Sequence, residues 1–199
     1  MIRTLEEAAA EASTCTRCRL AQGRTQVVYG VGNPHADLMF IGEGPGYYED
    51  KQGEPFVGAA GQLLNTMLGE IGIRREDVYI GNVIMCRPPG NRDPLPDEIE
   101  ACTPWLEEKI RLIDPRVIVA LGNFATRFIL NKPVSISRVR GQRFTWHGRI
   151  VIPTFHPAAI LHGGGQNSTQ MQLLRQDFAE LKAALAEQPP PVEEQLGLF

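Results

Sequence analysis

The sequence predicts an α/β fold in which a parallel sheet carries helices on both faces. Four short apolar runs are typical of buried strands, at residues 37–41, 78–85, 117–121 and 150–154. Segments whose apolar residues recur at helical spacing separate these runs. Strands that alternate with helices favour right-handed parallel crossovers, and such sheets hold ligands at the carboxyl ends of their strands.

The remaining elements follow from local signals along the chain. Pro96 with Asp97 and Glu98 marks a helix start, because proline suits the first helical position and acids favour the helix N-terminus. A short edge strand is expected at residues 27–31, and the basic segment 137–149 resembles a hairpin. The predicted helices cover residues 3–12, 61–71, 96–113, 124–130 and 168–186.

Composition limits the possible classes of function. The chain has 199 residues, 43% of them hydrophobic and 22% charged, which is typical of a soluble globular protein. We expect one domain over residues 1–186 and a separate tail at 187–199. No apolar run in the sequence approaches a membrane span, and the start is amphipathic rather than a secretory signal, so we expect a cytoplasmic monomer. A net charge of −3 leaves room for a local basic face that binds nucleic acid.

A glycine-rich loop at residues 42–58 directly follows the first core strand. Its glycines, prolines and carboxylates suit a loop that lets a ligand approach the backbone closely. Asn82 stands inside the next apolar run, where a buried amide must find hydrogen-bond partners. His156 follows the last core strand. Because the carboxyl ends of parallel strands share one edge, we expect the loop, Asn82 and His156 to form an active site.

The four cysteines are the second chemical feature of the sequence: Cys15, Cys18, Cys86 and Cys102. Disulfides are rare in a reducing cytoplasm, so the spacing indicates a site of four sulfur ligands, which suits zinc or an iron–sulfur cluster. A zinc ribbon would pair two C-x2-C knuckles, and the second knuckle is missing here. The alternative is that Cys86 and Cys102 are buried core thiols.

Together, the 42–58 loop, the four cysteines, Asn82 and the segment 155–161 resemble the family 4 uracil-DNA glycosylases, the iron–sulfur members of the uracil-DNA glycosylase superfamily. The resemblance runs from about residue 15 to residue 178. It implies a three-layer α/β/α fold with a central four-stranded parallel sheet. It also implies a [4Fe–4S] cluster on the four cysteines, and excision of uracil from DNA in base excision repair.

The resemblance also implies a role for each residue at the predicted site. Phe56 would stack on an extruded uracil, and Asn82 would pair with uracil O4 and N3–H. Gly42 and Gly44 would line the pocket. His156 would donate a hydrogen bond to uracil O2, where the charge of the leaving group gathers.

Two roles stay open among the loop residues. Exclusion of the thymine methyl group falls to Glu49 or to a neighbouring residue of the loop. The best-known relatives carry an aspartate where this chain has Gly44, so Glu43 is the candidate for activating water. Glu49 and Asn91 are the alternatives for that step.

Contacts with DNA are expected from two segments. Pro157 is expected to contact DNA, and residues 158–165 after it match the position of a loop that enters the minor groove, with Ile160 or Leu161 as the apolar wedge. Arg87 and Arg92 would meet the phosphates.

The tail carries a separate prediction. A proline run at residues 189–191 favours an extended tether. The end that follows, with Gln195, Leu196, Leu198 and Phe199, resembles the peptide by which bacterial repair proteins dock on the sliding clamp. The alternative is a segment that packs back on the domain.

Two other functions are weighed against excision. A related branch of the superfamily binds uracil-DNA covalently through an inserted basic loop with its own histidine, but residues 86–94 contain no histidine and no such insertion. The other is a non-catalytic iron–sulfur protein that binds DNA or the clamp.

Overall fold

The computed structural model describes residues 3–165 and 168–187. Its helices are α1 (Leu5–Ala12), α2 (Tyr47–Gln52), α3 (Ala59–Glu70), α4 (Pro96–Ile113), α5 (Gly122–Leu130), α6 (Ile136–Val139), α7 (Pro157–His162) and α8 (Thr169–Ala186). Its strands are β1 (Val31–Gly32), β2 (Leu38–Gly42), β3 (Tyr79–Asn82), β4 (Val117–Leu121), β5 (Phe144–Trp146) and β6 (Arg149–Thr154). The proline run and the predicted clamp peptide lie outside the described residues. In the part of the chain described here, no helix is long and apolar enough to span a bilayer.

The described strands form one mixed sheet of six strands, in the order β1-β3-β2-β4-β6-β5. The expectation of a four-stranded parallel sheet is therefore wrong for the whole sheet, although its four middle strands are parallel. The additional strands β1 and β5 pair antiparallel at the two edges. The predicted edge strand at residues 27–31 overlaps β1 only at Val31, and the predicted hairpin at 137–149 corresponds to the antiparallel pair of β5 and β6. With two and three residues, β1 and β5 are too short for apolar periodicity to set their bounds.

Helices cover both faces of the sheet, which gives three layers. Residues in β2 alternate between the two cores, because successive side chains in a strand point to opposite faces. Met39 and Ile41 pack with α1, α4 and α5, whereas Leu38 and Phe40 pack with α3, α7 and α8. Each of these strand residues is at most 3% exposed, as expected for a strand buried on both faces.

Two segments predicted as loops contain short helices. Residues 47–52 of the glycine-rich segment form α2, which ends at Gly53, and residues 157–162 form α7. Each helix has six residues. The sequence signal was missed because glycines and prolines surround both helices, and tertiary contacts decide whether such short segments become helical.

The strand order positions the site. The chain passes from β2 to β3 on one side of the sheet and returns past β2 to β4 on the other side. A crevice opens where the direction reverses, outside the carboxyl ends of the strands. The register sets Gly42, the last residue of β2, opposite Asn82, the last residue of β3. The segments that follow β2, β3 and β6 therefore meet at one edge.

Candidate active site

A cavity of about 190 Å³ lies at this edge of the sheet. It brings together the three side chains that the sequence predicted to meet, those of Phe56, Asn82 and His156. Its other lining residues are Gly44, Gly46, Glu49, Ala60 and Ala158. Sequence reasoning named Gly44 and Glu49 and included Gly46 in the glycine-rich loop, but it gave Ala60 and Ala158 no role in the pocket.

Asn82, which lines the cavity, has a hydrogen-bond acceptor without a partner in the described part of the chain. The residue is 2% exposed, and its Oδ1 atom has no hydrogen-bond partner within the described residues. A buried carbonyl oxygen without a donor costs about 1–3 kcal/mol. Gly42 makes room for this amide, since a Cβ atom there would lie 2.4 Å from Asn82 Oδ1 and 2.8 Å from Phe56 Cζ. Gly42 therefore shapes the site from beneath, whereas Gly44 lines the cavity itself.

Phe56 supplies a flat aromatic wall. Its ring stacks on the His156 imidazole, with 5.4 Å between the ring centroids and 28° between the planes. The backbone of Phe56 has a φ angle of 55°, which is uncommon for a residue with a side chain and indicates local strain held by its surroundings. Glu49 is part of those surroundings, because its Oε1 atom accepts the backbone N–H groups of Val57 and Gly58 at 3.1 and 3.2 Å.

His156 is held as a neutral hydrogen-bond donor. It caps α7, and its Nδ1 atom accepts the backbone N–H of Ala158 at 3.2 Å, so the ring proton lies on Nε2. Burial lowers the pKa of His156 from 6.5 to about 4, although the carboxylate of Glu49 opposes that change. Gly122 has a φ angle of +85° and lets the end of β4 approach, since a Cβ there would lie 3.1 Å from His156 Cβ.

Glu43 lies on the other side of the Gly44–Gly46 backbone. It lines a separate cavity of about 100 Å³ together with Asn91, and both cavities share Gly44 and Gly46 in their walls. Burial raises the pKa of Glu43, and the nearby charge of Asp93 raises it further. The two water-activating candidates Glu43 and Asn91 are thus brought together, beside the main pocket rather than in it.

A buried ionic network supports the end of β6, and sequence reasoning missed it. Arg140 pairs with Asp177, which is 2% exposed, and Thr154 also donates to this carboxylate. The signal in the sequence was the position of Asp177 on the apolar face of α8, between Leu174 and Phe178. The network fixes the strand end two residues before His156, so it positions the imidazole without contacting a ligand.

The four cysteines pack against the same hydrophobic core, on the face covered by α1 and α4. Three of their sulfur atoms accept hydrogen bonds at 3.4 Å, from Arg24 to Cys86, from Met85 N–H to Cys102 and from Trp105 to Cys15. Burial raises the pKa of the Cys102 thiol to about 12. Over the described ranges, no group of three or more histidine, cysteine, aspartate and glutamate side chains stands ready to hold a metal ion.

The residues predicted to contact DNA separate into exposed and buried ones. Ile160 is 0% exposed in the core under α7, so the expectation that it acts as a wedge is wrong. Pro157 is buried as well, at the first turn of α7. Leu161 is 39% exposed, because one step along a helix turns the side chain by about 100°.

The two predicted phosphate-binding arginines differ in whether an acidic side chain already neutralises their charge. Arg92 makes a bidentate ion pair with the fully buried Glu98, at 2.6 and 2.9 Å. Its guanidinium therefore holds the connector to α4 in place. Arg87 donates through Nε to Asn91 and makes no ion pair with any described residue, so its charge is free to meet an anion.

The arrangement in the main pocket suits one planar heterocycle. A ring can stack on Phe56, pair with the amide of Asn82 and receive a hydrogen bond from Nε2 of His156. A raised carboxyl pKa at Glu43 suits a group that accepts a proton from water near neutral pH.

Comparisons with known proteins agree with this chemistry. Residues 29–179 match the family model of the uracil DNA glycosylase superfamily. The type-4 uracil-DNA glycosylase of Sulfurisphaera tokodaii is 46% identical over 188 residues, which make up 90% of this chain and 84% of that protein. The type-4 enzyme of Thermotoga maritima is 49% identical over 171 residues, and the match covers 85% of this chain and 88% of that enzyme. The type-5 uracil-DNA glycosylase of Thermus thermophilus is 30% identical over 174 residues, and the match covers 77% of this chain and 76% of that enzyme. The chain therefore belongs to the uracil-DNA glycosylase superfamily, in its type-4 branch.

Proposed function

We propose that this protein is a uracil-DNA glycosylase, which hydrolyses the N-glycosidic bond of uracil in DNA and leaves an abasic site for base excision repair. The observation that carries the proposal is the buried, unpartnered Oδ1 atom of Asn82 beside a stacked aromatic ring and a neutral imidazole. The similar proteins named above are type-4 and type-5 uracil-DNA glycosylases, which supports the same activity.

Base selection falls to the amide of Asn82. Its carbonyl oxygen accepts N3–H of uracil, and its N–H group donates to O4. Cytosine reverses both groups, so donor would face donor and acceptor would face acceptor. Each buried pairing left unmade costs about 1–3 kcal/mol, which is enough to reject the normal base.

Contacts inside the pocket offset the free-energy cost of extruding the base. Removing uracil from the helical stack costs a few kcal/mol. Stacking on the Phe56 ring returns about 1–3 kcal/mol. The strained backbone and the Glu49 carboxylate hold that ring in place before DNA binds. Glu49 also borders the pocket with Gly46, and we assign the exclusion of the thymine methyl group to this wall.

Bond cleavage transfers the glycosidic electron pair to the departing uracil, and the negative charge gathers at O2. Nε2–H of His156 donates to that oxygen. A donor fixed in advance at a developing charge contributes about 3–4 kcal/mol in other enzymes. Because burial keeps the pKa of His156 at about 4, the imidazole is neutral at pH 7 and acts as a donor without protonating the base.

Water reaches the sugar carbon from the side opposite the base. The cavity shared by Glu43 and Asn91 has about 100 Å³, room for ordered water, and its wall is the backbone next to the pocket. Glu43 accepts the proton of the attacking water, and Asn91 orients it.

Leu161 fills the space left in the DNA stack, and Arg87 meets a phosphate near the site.

The cysteines hold a [4Fe–4S] cluster in this proposal. Four sulfur ligands suit iron, and N–H groups donate hydrogen bonds to the sulfur atoms of Cys15, Cys86 and Cys102. Lys109 adds a buried ammonium group on α4, 0% exposed and with no hydrogen-bond partner among the described residues. An anionic group close by would offset its charge. When bound, the cluster joins the N-terminal helix to the connector and α4, and hydrolysis needs no electron transfer from it.

The tail is assigned a docking role on sequence grounds. Residues 1–186 form the glycosylase domain, and residues 187–199 form a proline-rich tether that ends in a clamp-binding peptide. Deleting residues 195–199 should leave excision by the isolated protein intact and abolish its retention on immobilised bacterial clamp. Reduced excision after this deletion would show instead that the tail belongs to the fold.

The activity is tested with an oligonucleotide that contains one uracil. The protein should release free uracil, and alkali should then cut the strand at the abasic site that remains. A shift in gel mobility without release of uracil would support the alternative, a protein that binds uracil-DNA without catalysis.

A further inference from the structure

Exposed apolar side chains gather around the mouth of the pocket. Across the described residues, the large apolar side chains most exposed to solvent are Tyr48 at 62%, Tyr47 at 49% and Leu161 at 39%. All three belong to α2 and α7, the short helices whose first turns border the pocket. Exposed apolar groups that cluster beside a site mark binding surfaces. Leu161 has a role as the wedge, whereas the two tyrosines have none.

The two tyrosine rings form an aromatic step with a cationic edge. They meet edge to face, with centroids 5.4 Å apart and planes at 84°. The Arg87 guanidinium lies 5.1 Å from the centroid of Tyr47, and the Lys51 ammonium lies 5.8 Å from it. Cations therefore cover the Tyr47 ring, whereas the more exposed Tyr48 ring has no such neighbour among the described residues.

This step is continuous with the pocket. Gly46, directly before Tyr47, and Glu49, directly after Tyr48, both line the cavity that would hold the extruded base. In α2, Tyr48 directly precedes Glu49, so its Cα atom lies one helical step from a residue that lines the pocket.

The occupant must combine flat apolar rings with negative charge. Aromatic side chains interleaved with cations are the usual surface for an unpaired nucleic-acid strand, in which bases stack on the rings and phosphates meet the cations. A protein partner would require a larger apolar area than two rings provide.

We propose that Tyr48 stacks on the unpaired base next to the uracil in single-stranded DNA, with Tyr47 bracing its ring and Arg87 meeting the intervening phosphate. This inference rests on the proposed function and deepens it, because it assigns part of the substrate specificity to the base beside the uracil.

The test combines a protein change with a substrate change. Single-stranded oligonucleotides with one uracil would carry either normal neighbours or an abasic spacer on the 5′ or the 3′ side. Wild-type protein should lose about 10-fold in kcat/KM with the spacer on one of the two sides. Tyr48→Phe, which keeps the ring, should behave like wild type. Tyr48→Ala should lose about 10-fold on the normal strand and lose nothing further with the spacer.

Two outcomes would overturn the inference. Wild type could tolerate both spacers, or Tyr48→Ala could lose the same factor relative to wild type on every substrate and so keep the spacer sensitivity of wild type. Because the ring is exposed, Tyr48→Ala should unfold at the temperature of wild type, which separates a lost contact from a damaged fold. Failure of the proposed function gives a different result, namely no release of uracil by wild type. The same comparison would then be made with dissociation constants from fluorescence anisotropy.

Discussion

Asn82 offers a clear separation of function from stability. In the free protein its Oδ1 atom is buried without a hydrogen-bond partner among the described residues, so the amide contributes little to folding. In the proposed complex, the same amide makes both base-selective hydrogen bonds. Asn82→Ala should therefore damage excision without damaging the fold.

The size of the effect follows from the pairings lost. Two buried groups of uracil would each lose a partner, at about 1–3 kcal/mol per group. A decade of rate corresponds to about 1.4 kcal/mol, so kcat/KM should fall by about 30-fold to 20,000-fold. The variant also removes a buried oxygen that has no donor, which offsets the lost packing, so the free energy of unfolding should change by less than about 1 kcal/mol.

The assay measures uracil release under single-turnover conditions, together with urea unfolding of the same preparation. Thr126→Val is the matched control, because Thr126 is buried like Asn82 but its hydroxyl group donates to the backbone carbonyl of Gly122 at 2.6 Å. This control should lose about 1 kcal/mol of stability and keep its kcat/KM. An Asn82→Ala protein that excises uracil normally, or that loses several kcal/mol of stability, would refute the reasoning, since Asn82 would then be a structural tie.

Other changes test the remaining roles. His156→Asn keeps an acceptor at the start of α7, but its shorter side chain has no donor at the position of Nε2, so kcat should fall by about 100- to 1,000-fold. Since the folded pKa of His156 is about 4 and its usual value is 6.5, the unfolded chain binds more protons between these values. Wild type should thus lose on the order of 3 kcal/mol of unfolding free energy as pH falls through that range, and His156→Asn should lack this loss. Leu161→Ala should weaken binding to uracil-containing duplex at unchanged stability, whereas Ile160→Ala should lose about 2–5 kcal/mol of stability in urea unfolding. Cys102→Ser should lose bound iron, sulfide and visible absorbance; unchanged iron content would identify Cys102 as a core thiol.

Local patterns in the sequence were sufficient for the main elements. The four core strands and the long helices were predicted close to their observed bounds, because apolar spacing reports directly on which faces are buried. The rule that parallel strands gather sites at their carboxyl ends also predicted the meeting of Phe56, Asn82 and His156. The roles of these three residues stay predictions until activity is measured.

Helical phase decided the outcome at neighbouring positions. Ile160 and Leu161 are both apolar and adjacent, and nothing in their local sequence distinguishes a core residue from a wedge. Once α7 packs against the sheet, one side chain turns into the core and the other into solvent. The same dependence on packing hid Asp177, which becomes useful only when Arg140 and Thr154 reach it from other elements.

By itself, the sequence determined the α/β class, the four core strands and the residue types of a pocket for one planar base, because burial periodicity and strand ends are local properties. Only the tertiary structure decided the bounds and pairing of the two edge strands, the position of Glu43 in a cavity separate from the main pocket, and the exposure of Tyr48 on the helix next to the pocket. These features depend on register and on the approach of segments distant in the chain, and no local pattern of residues encodes those distances.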